Sequence, residues 1–251
     1  MTAPGDRDDG PGTPRPGRPL TGAPVGRRVF LGLVALGAGS VLAGGPLSRG
    51  FNNLHAKVAA HDPTGLSGLI PGGGWRYYTV SNGYPAVDHA TYRLSVKGHV
   101  NKPLSLSLAD IKALPRTSLV RDFQCVTGWR VPKVHWSGVR LSDVLAAAEV
   151  DPAAGAVQFQ SFDGVYTECL TMAQAMRSDV LVADTMEGAP VTRNHGGPIR
   201  MLIAPMYGYK SCKWLSTIRV VPKVIPGYWE QFGYDEDGWV GRSNGRSDEP
   251  T

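Results

Sequence analysis

Alternating apolar and polar positions mark the strands of this chain. Residues 92–98 alternate with period two and end at Gly98, which is typical of a half-buried strand. Another strand is predicted to end directly before Cys125. Further strands are predicted at 156–162, 199–204 and 217–221. Strands therefore make up most of the predicted elements.

Short helices are predicted where a capping residue precedes an apolar turn. Ser107 and Asp110 fit a capping box that opens the first helix. Ser142 is predicted to cap a second helix over 143–149, and Thr171 starts a third. Because strands outnumber helices without a regular strand–helix alternation, the sequence predicts an α+β fold with mixed β-sheets and short helices.

Composition and charge narrow the class of protein. A chain of 251 residues with 42% apolar residues can bury one sizeable core. Glycine and proline are concentrated before residue 26 and at 71–74, which marks tails and linkers. A net charge of +5 is too small to indicate a protein that binds nucleic acid. No G-x-G-x-x-G follows a strand and no Walker loop is present, which argues against a Rossmann or P-loop cofactor.

The beginning of the chain has the pattern of an export signal. Arg27 and Arg28 precede Val-Phe-Leu and an apolar run that glycine and alanine keep weakly hydrophobic. This is the twin-arginine pattern, which is read by a receptor, with small residues for cleavage before Gly44. We therefore expect the protein to be exported across the cytoplasmic membrane.

This signal divides the chain into three predicted parts. We expect a disordered n-region and twin-arginine signal at 1–48, a linker at 49–75 and a catalytic domain at 76–251. An uncleaved membrane anchor at 29–47 stays an open alternative. Because twin-arginine export moves proteins that are already folded, and its common clients load a cofactor first, a bulky cofactor is also expected.

A basic run without acidic residues predicts an anion site. Between Gly188 and Trp229 the chain contains no Asp or Glu. Apolar stretches at 201–204 and 214–218 should draw the run into the core, where basic groups need an anion such as phosphate. A solvated basic face is the alternative. The basic residues of the run are Arg193, His195, Arg200, Lys210, Lys213, Arg219 and Lys223.

Cys125 needs an argument of its own. It follows a predicted strand and precedes Gly128 and Trp129. The chain has three cysteines, an odd number, with no Cys-x-x-Cys and no zinc or haem spacing. On this pattern alone, a buried inert thiol is the better interpretation of Cys125.

Four motifs, taken together, carry a family resemblance. They are Cys125-Val-Thr-Gly-Trp129, Trp136-Ser-Gly-Val-Arg-Leu-Ser-Asp-Val-Leu145, His195-Gly-Gly-Pro-Ile-Arg200 and Lys210-Ser-Cys-Lys-Trp214. In this order and spacing they resemble the molybdopterin-binding domain of the sulfite-oxidase family, over about residues 77–239. The resemblance implies that family's fold, a molybdenum–molybdopterin cofactor and oxidoreductase activity.

The resemblance also implies roles for individual residues. Cys125 corresponds to the thiolate that ligates molybdenum, a soft donor suited to a metal already bound by a dithiolene. Tyr166 corresponds to a tyrosine whose phenol donates to an oxo group or substrate beside the metal, although a packed tyrosine is an equal alternative. With Arg130, these two residues form the implied catalytic set. The implied cofactor contacts are Asn82, Tyr84, Cys125, Ser161, His195, Arg200, Ser211, Cys212 and Lys213, with His195 and Arg200 at the phosphate.

One departure from the sulfite-oxidase pattern bears on the substrate. Sulfite oxidases have two adjacent arginines after the ligand cysteine, and here Trp129 occupies the first position while Arg130 remains. Exported molybdenum enzymes that reduce methionine sulfoxide have Cys-x-x-x-Trp, as here. The resemblance is therefore closer to that reductase's catalytic subunit, and implies two-electron oxygen-atom transfer on a sulfoxide or a similar S-oxo compound.

Three other interpretations stay open. They are a sulfite oxidase-like dehydrogenase, a non-catalytic cofactor-binding or electron-relay subunit, and a metal-free thiol protein with a Cys169–Cys212 disulfide. The six histidines form no haem-pair pattern, and no iron–sulfur spacing is present. Because one metal centre cannot exchange electrons with a pool unaided, a separate redox partner is expected, either a membrane haem protein or another carrier.

Overall fold

Strands and short helices follow one another irregularly in the part of the chain that the computed structural model describes, residues 74–81 and 83–250. The strands are β1 (Leu94–Gly98), β2 (Leu104–Leu106), β3 (Arg116–Gln124), β4 (Arg130–Arg140), β5 (Ala156–Ser161), β6 (Thr167–Thr171), β7 (Val180–Met186), β8 (Ala189–Pro190), β9 (Arg200–Ile203) and β10 (Leu215–Val221). The helices are α1 (Leu108–Ala113), α2 (Leu141–Ala147) and α3 (Met172–Ala175), with 3₁₀ turns at Arg193–His195, Gly208–Lys210 and Glu230–Phe232. The predicted α+β class with mixed sheets and short helices is confirmed.

Within the described residues, these strands form two five-stranded sheets. The first has the order β2-β1-β10-β5-β6, in which β1 and β10 are parallel and the other pairs are antiparallel. The second is antiparallel, with the order β3-β4-β7-β8 and with β9 also paired to β7. Because β1 lies beside β10, the first sheet joins parts of the chain that are far apart in sequence.

One buried cluster contains side chains from both sheets and from the helices. The first sheet contributes Leu94, Val96, Phe159 and Ile218, the second contributes Val139, Val182 and Met201, and the helices contribute Ile111, Leu141 and Leu145. Burial of each large apolar side chain stabilises the fold by about 1.5–3 kcal/mol. This shared core fixes the ends of the two sets of strands relative to each other.

Two of the three predicted helix starts are confirmed, and the third is wrong. Ser107 accepts a hydrogen bond from the Asp110 amide at 3.1 Å, and Asp110 accepts one from the Ser107 amide at 2.8 Å. Thr171 begins α3 with the same reciprocal box. Ser142 does not cap α2, because the helix begins at Leu141, directly after β4. Burial of Leu141 sets that start, and the residue at the N-cap position, Arg140, has no side-chain acceptor to offer.

Strands β2, β4, β6, β7 and β8 were not among the sequence predictions. β4 contains Pro132 and Gly138, residues that usually interrupt strands. In the sheet, Gly138 is required by a close approach, since a Cβ atom there would lie 2.2 Å from the Val182 carbonyl oxygen. The pairing of β4 with β7 therefore depends on Gly138, although a glycine at this position argues against a strand in the sequence.

Some sequence predictions fall outside the described residues. The twin-arginine segment, the anchor alternative at 29–47 and the cofactor contact at Asn82 all lie there, and they stay predictions. In the remainder of the chain, none of the helices has the length and apolar character needed to span a membrane.

A buried lysine joins three parts of the domain. Lys210 Nζ donates to Glu168 on β6 at 2.5 Å and to Glu230 at 2.8 Å, and also to the carbonyls of Cys169 at 3.0 Å and Glu236 at 2.8 Å. Burial by itself lowers the pKa of Lys210, but the two carboxylates outweigh this effect and raise it. Burial, only partly offset by Lys210, raises the pKa of Glu168 well above its usual range. Lys210 thus holds residues 230–236 against the first sheet.

Replacement of this lysine should destabilise the fold strongly. Lys210→Met leaves two buried carboxyl groups without a cation, so we expect a loss of about 3–5 kcal/mol in the free energy of unfolding, measured in urea. The control is Arg177→Met, which removes an exposed arginine from its ion pair with Asp179 and from the Trp239 ring and should cost less, about 1–2 kcal/mol. Equal losses in the two variants would contradict a structural role for the buried cluster.

Candidate functional site

Loops at the ends of several strands surround a cavity of about 390 Å³. Its wall includes the segment 75–80 ahead of β1, the turn after β3, the β5–β6 turn, and side chains from 194–200 and 208–214. Aromatic side chains from the last part of the domain, at 229 and 234, complete the wall. A volume of this size is within the range of pockets that hold small ligands.

Cys125 lies on this wall at the end of β3. Its amide donates to the Trp129 carbonyl at 2.9 Å, and its carbonyl accepts from the Gly128 amide at 3.0 Å, which closes residues 125–129 into a tight turn. Gly128 has a φ of +99°, a conformation that favours glycine. Thr127 Oγ1 donates to Cys125 Sγ at 3.2 Å. The turn therefore presents one half-buried thiol to the cavity.

The three cysteines differ in position. All three are free, so the structure does not contain the Cys169–Cys212 disulfide of the thiol-protein alternative. Cys169 and Cys212 are buried in apolar clusters away from the cavity wall, and burial raises the pKa of each thiol. Among the described residues, no group of three or more His, Cys, Asp or Glu side chains could hold a metal ion. A metal beside Cys125 would therefore need most of its ligands from another source.

Arg200 forms the buried floor of the cavity. Its guanidinium donates to the carbonyls of His195 at 2.6 Å, Ser211 at 3.2 Å and Met201 at 3.2 Å. It also lies 5.3 Å from the ring centroids of Phe123 and Trp136. Burial lowers the pKa of Arg200 to about 10. The group still carries its charge at neutral pH, in a place that offers it only carbonyls and aromatic rings.

Two more basic groups line the cavity near Arg200. Lys213 Nζ donates to the Tyr78 carbonyl and lies 4.3 Å from the Trp214 ring centroid. Burial, and then the charge of Arg200, lower the pKa of Lys213 to about 7. The same two causes, with Lys213 as a third, lower the pKa of His195 to about 3. A proton on either group is disfavoured first by burial and then by the neighbouring positive charge.

No carboxylate in the described part of the chain lies within 4 Å of these three basic groups. Asp163 is on the cavity wall, but its Oδ1 accepts from the amides of residues 165 and 166, and its buried Oδ2 has no hydrogen-bond partner in that part. The other basic residues of the acid-free run are elsewhere: Lys210 is paired with Glu168 and Glu230, and Arg193, Arg219 and Lys223 are exposed. The cavity thus has the charge of an anion site.

The Tyr166 hydroxyl forms a hydrogen bond within the protein. Its ring is on the cavity wall, and its hydroxyl donates to the Tyr209 carbonyl. Burial, and then the charge of Glu168, raise the pKa of Tyr166 well above its usual value. This geometry corresponds to the packed-tyrosine alternative, and a role as proton donor stays a prediction.

The structure brings some of the predicted site residues together and places others elsewhere. Those on the cavity wall are Cys125, Tyr166, His195, Arg200, Ser211 and Lys213. Arg130 is outside the wall, in an ion pair with Asp122 at 2.6 Å. Ser161 is buried, and its hydroxyl accepts from the Asp163 amide at 3.1 Å, so it shapes the β5–β6 turn. Cys212 is in the core, and the Tyr84 ring lies 6.0 Å from that of Trp214.

Trp75, Arg76 and Tyr77 were missed as part of the site. Trp75, which the sequence assigned to the linker, has its ring centroid 4.9 Å from that of Phe123 and 4.6 Å from that of His195. Arg76 is also on the wall, and its buried Nε has no partner among the described residues. Tyr77 Oη is 3.0 Å from His195 Nε2. The only sequence signal was a Trp-Arg-Tyr-Tyr cluster after a glycine-rich stretch.

Several known proteins are similar in sequence to this chain. The profile of the family described as the oxidoreductase molybdopterin binding domain matches residues 81–229. The chain is 36% identical over 151 residues to the uncharacterized oxidoreductase YuiH of Bacillus subtilis, covering 60% of this chain and 76% of that one. It is 30% identical to sulfite oxidase of Arabidopsis thaliana, covering 60% of this chain and 47% of the relative.

Two further similarities concern subunits and fold. A candidate protein-methionine-sulfoxide reductase subunit, YedZ1, of Azospira oryzae is 31% identical, over 62% of this chain and 58% of its own. Among solved structures, the sulfane dehydrogenase SoxCD from Paracoccus pantotrophus superposes with a TM-score of 0.53 at 23% identity, over 57% of this chain and 41% of that chain. This chain therefore spans about half the length of the sulfite oxidase and YedZ1 relatives.

The charge of the cavity predicts pH-dependent anion binding. Sulfate, whose own charge is constant near neutral pH, should stabilise cofactor-free protein more at pH 6 than at pH 9, measured as a shift in Tm. Below about pH 7 Lys213 is already protonated and can pair with the anion, whereas above it the anion must also recruit a proton. Sulfate affinity should therefore fall with rising pH, by at most about tenfold per unit. His195, with a pKa of about 3, stays neutral throughout this range.

Lys213→Met should remove this pH dependence. Lys223→Met is the control, because Lys223 is exposed and belongs to the same basic run. Equal stabilisation of the unmodified protein by sulfate at pH 6 and pH 9 would be inconsistent with an anion site at Lys213.

Proposed function

Because this chain belongs to the molybdopterin-binding oxidoreductase family, whose cofactor is molybdenum–molybdopterin, we propose that it is an exported enzyme that reduces a sulfoxide or a similar S-oxo compound. Family and cofactor follow from the match over residues 81–229. The direction of the reaction, the sulfur substrate and the export route are the proposal. The observation that carries the choice of substrate is the position of Trp129, which faces the cavity while Arg130 does not.

The residues present fit this cofactor. Molybdopterin carries a phosphate and brings dithiolene sulfurs to its metal, so it needs a basic pocket and little ligation from the protein. Arg200 and His195 are buried, Lys213 is half-buried, and none has a carboxylate within 4 Å in the described chain. These three groups would hold the phosphate. Cys125 is the thiol on the wall and would complete the metal site. When bound, the cofactor supplies the two-electron exchange of an oxygen atom with the substrate.

The remaining wall suits a neutral S-oxide. Trp129 is buried, and its ring belongs to an aromatic group with Trp75, Phe123 and Tyr78, at centroid distances of 6.1, 6.0 and 6.4 Å. Such a surface accepts an apolar carbon chain. Apart from the Trp129 indole N–H, which has no partner among the described residues, it gives an oxyanion little compensation for lost water. Arg130 cannot assist without breaking its pair with Asp122. These contacts favour a neutral sulfoxide over sulfite.

A specific observation favours sulfite as the second candidate. Arg76 is on the cavity wall, and its buried Nε has no partner among the described residues. A guanidinium in this position can bind an oxyanion with charge-assisted hydrogen bonds. Sulfite oxidation is therefore the alternative, in keeping with the named activity of the Arabidopsis thaliana relative.

A separate redox partner and an extracytoplasmic location complete the proposal. The only redox group that the family match implies is the molybdenum cofactor, so electrons must arrive from another protein, such as a membrane haem protein. The YedZ1 relative is named as a subunit, which supports such an arrangement. Arg27 and Arg28, with the weak apolar run that follows them, support export by the twin-arginine route.

The choice of substrate can be tested by assaying the two reactions side by side. The metal-loaded protein should reduce methionine sulfoxide with a reduced dye with a kcat/KM about ten- to a hundredfold higher than that for sulfite with an electron acceptor. This range corresponds to the loss of one charge-assisted hydrogen bond to an oxyanion. Trp129→Arg should shift the ratio toward sulfite, and Arg76→Gln should shift it further toward the sulfoxide.

Molybdenum content, measured for each variant, separates substrate preference from loss of cofactor. Arg121→Gln is the control, because Arg121 is exposed on β3 away from the cavity wall. Efficient sulfite turnover by the unmodified protein would favour the second candidate. A loaded protein that turns over neither compound would favour a non-catalytic electron-relay subunit.

Export should depend on the arginine pair. The double variant Arg27→Lys, Arg28→Lys should leave folded, cofactor-loaded protein in the cytoplasm, because a receptor reads the guanidinium groups rather than their charge alone. Cell fractionation with molybdenum analysis measures the outcome. The control variant Arg15→Lys, Arg18→Lys should be exported normally, and normal export of the first variant would argue for a general secretory signal or an anchor.

A further inference from the structure

The turn that carries Cys125 is contacted by residues 246–250, which we call the brace. A Cβ atom on Gly128 would lie 3.2 Å from Arg246 Nη2, so the Arg246 side chain lies against the middle of the turn. At the end of the turn, Arg130 donates to the carbonyls of Glu249 at 3.1 Å and Pro250 at 3.3 Å. The brace therefore contacts the turn in its middle and the strand that leaves it.

Asp248 locks the brace in place. Its carboxylate accepts two hydrogen bonds from Arg246, at 2.6 and 2.9 Å, and a third from the Tyr207 hydroxyl at 2.7 Å. Tyr207 is fully buried, and its hydroxyl also accepts from the Gly241 amide at 3.1 Å. Arg246, and then Tyr207, lower the pKa of Asp248, so the carboxylate is ionised at neutral pH. The brace is thus bonded to a buried residue of the core.

The Cys125 turn meets the same core from its other side. Val126 packs against a buried cluster of Tyr207, Tyr209 and Val240. A Cβ atom on Gly208 would lie 2.6 Å from the Phe123 ring, so the residues after Tyr207 also press on the end of β3. Tyr207 therefore links the brace to the packing beneath the turn.

We propose that Asp248 is a positioning residue that, through Arg246 and Tyr207, holds the Cys125 turn in the orientation that presents its thiol to the cavity. The inference rests on the role of Cys125 as metal ligand in the proposed function. Residues that orient a ligand from behind tune its metal as well as its position. A turn with only two internal backbone bonds, one of them at Gly128, has little rigidity of its own.

The same arrangement accounts for Arg130. The sequence resemblance made it a catalytic residue, yet its guanidinium is divided between Asp122 and the carbonyls of the brace. Its contribution is to tie β4 to the brace directly after the turn. An arginine is suited to this task because its planar fork can bond a carboxylate and two carbonyls at once.

Hydrogen–deuterium exchange on the full-length protein tests the inference. Asp248→Ala should speed exchange at the amides of 125–129 by about ten- to a hundredfold, as expected for the loss of charge-assisted hydrogen bonds that restrain local opening. Arg246→Gln, a milder change, should act in the same direction. Asp179→Ala is the matched control, because Arg177 and Asp179 form the same Arg-x-Asp pair at 2.8 and 2.7 Å away from the turn.

A spectroscopic measurement separates positioning from simple stability. In metal-loaded protein with normal molybdenum content, Asp248→Ala and Arg246→Gln should shift the thiolate-to-metal charge-transfer absorption band, and Asp179→Ala should leave it in place. Unchanged exchange at 125–129 in both variants, or faster exchange with an unchanged band, would overturn the inference. Exchange is measured without substrate, so a failure to reduce sulfoxides would count against the proposed function and not against the brace.

Discussion

Positive charge buried without a matching carboxylate is the constraint on which the site depends. Arg200 is buried and Lys213 is half-buried, and loss of solvent is the main cause that lowers the pKa of each. A buried cation without a carboxylate costs several kcal/mol, so these basic groups favour the binding of an anion beside them. Lys210, from the same stretch of chain, shows the alternative, since Glu168 and Glu230 neutralise it within the protein. Lys210 thus stabilises the domain itself, whereas Arg200 and Lys213 are available to bind an anionic ligand.

The two sheets make this separation possible. β9 brings Arg200 to the cavity floor, and the loop before β10 carries Lys210 inward to the acidic pair and Lys213 toward the cavity. A second buried cluster, which contains Phe123 of β3 and Leu202 of β9, connects these strand ends to the end of β3, where Cys125 lies. Cys125 and Arg200 are therefore held at a set separation because both pack on this cluster, Arg200 on the rings of Phe123 and Trp136. A cofactor with a metal at one end and a phosphate at the other requires such a frame.

Local signals in the sequence predicted local structure well. The reciprocal caps at Ser107 and Thr171 form because their partners are three residues away, within reach of any chain that turns there. Ser142 failed as a cap because burial of Leu141, a tertiary effect, set the helix start. The sequence also predicted one anion site for the whole basic run. Lys210 does not belong to that site, because it pairs with Glu168 and Glu230, which are distant in sequence. Nothing near Arg130 in sequence could have indicated that the brace would engage it.

The division of the cavity into a cationic and an aromatic part bears on what it can discriminate. An anionic substrate would share the cavity with the cofactor phosphate. The phosphate stays bound and would largely neutralise the basic groups that attract the substrate. Selectivity must then come from the other groups on the cavity wall, among which Trp129 and Arg76 have opposite effects on an oxyanion. Contact with the indole surface costs an oxyanion part of its hydration free energy. One hydrogen bond from a guanidinium can offset about 1.5–3 kcal/mol of that cost. Trp129 packs in a buried cluster with Phe123 and Trp136, so its indole surface is a fixed part of the wall and should decide the preference.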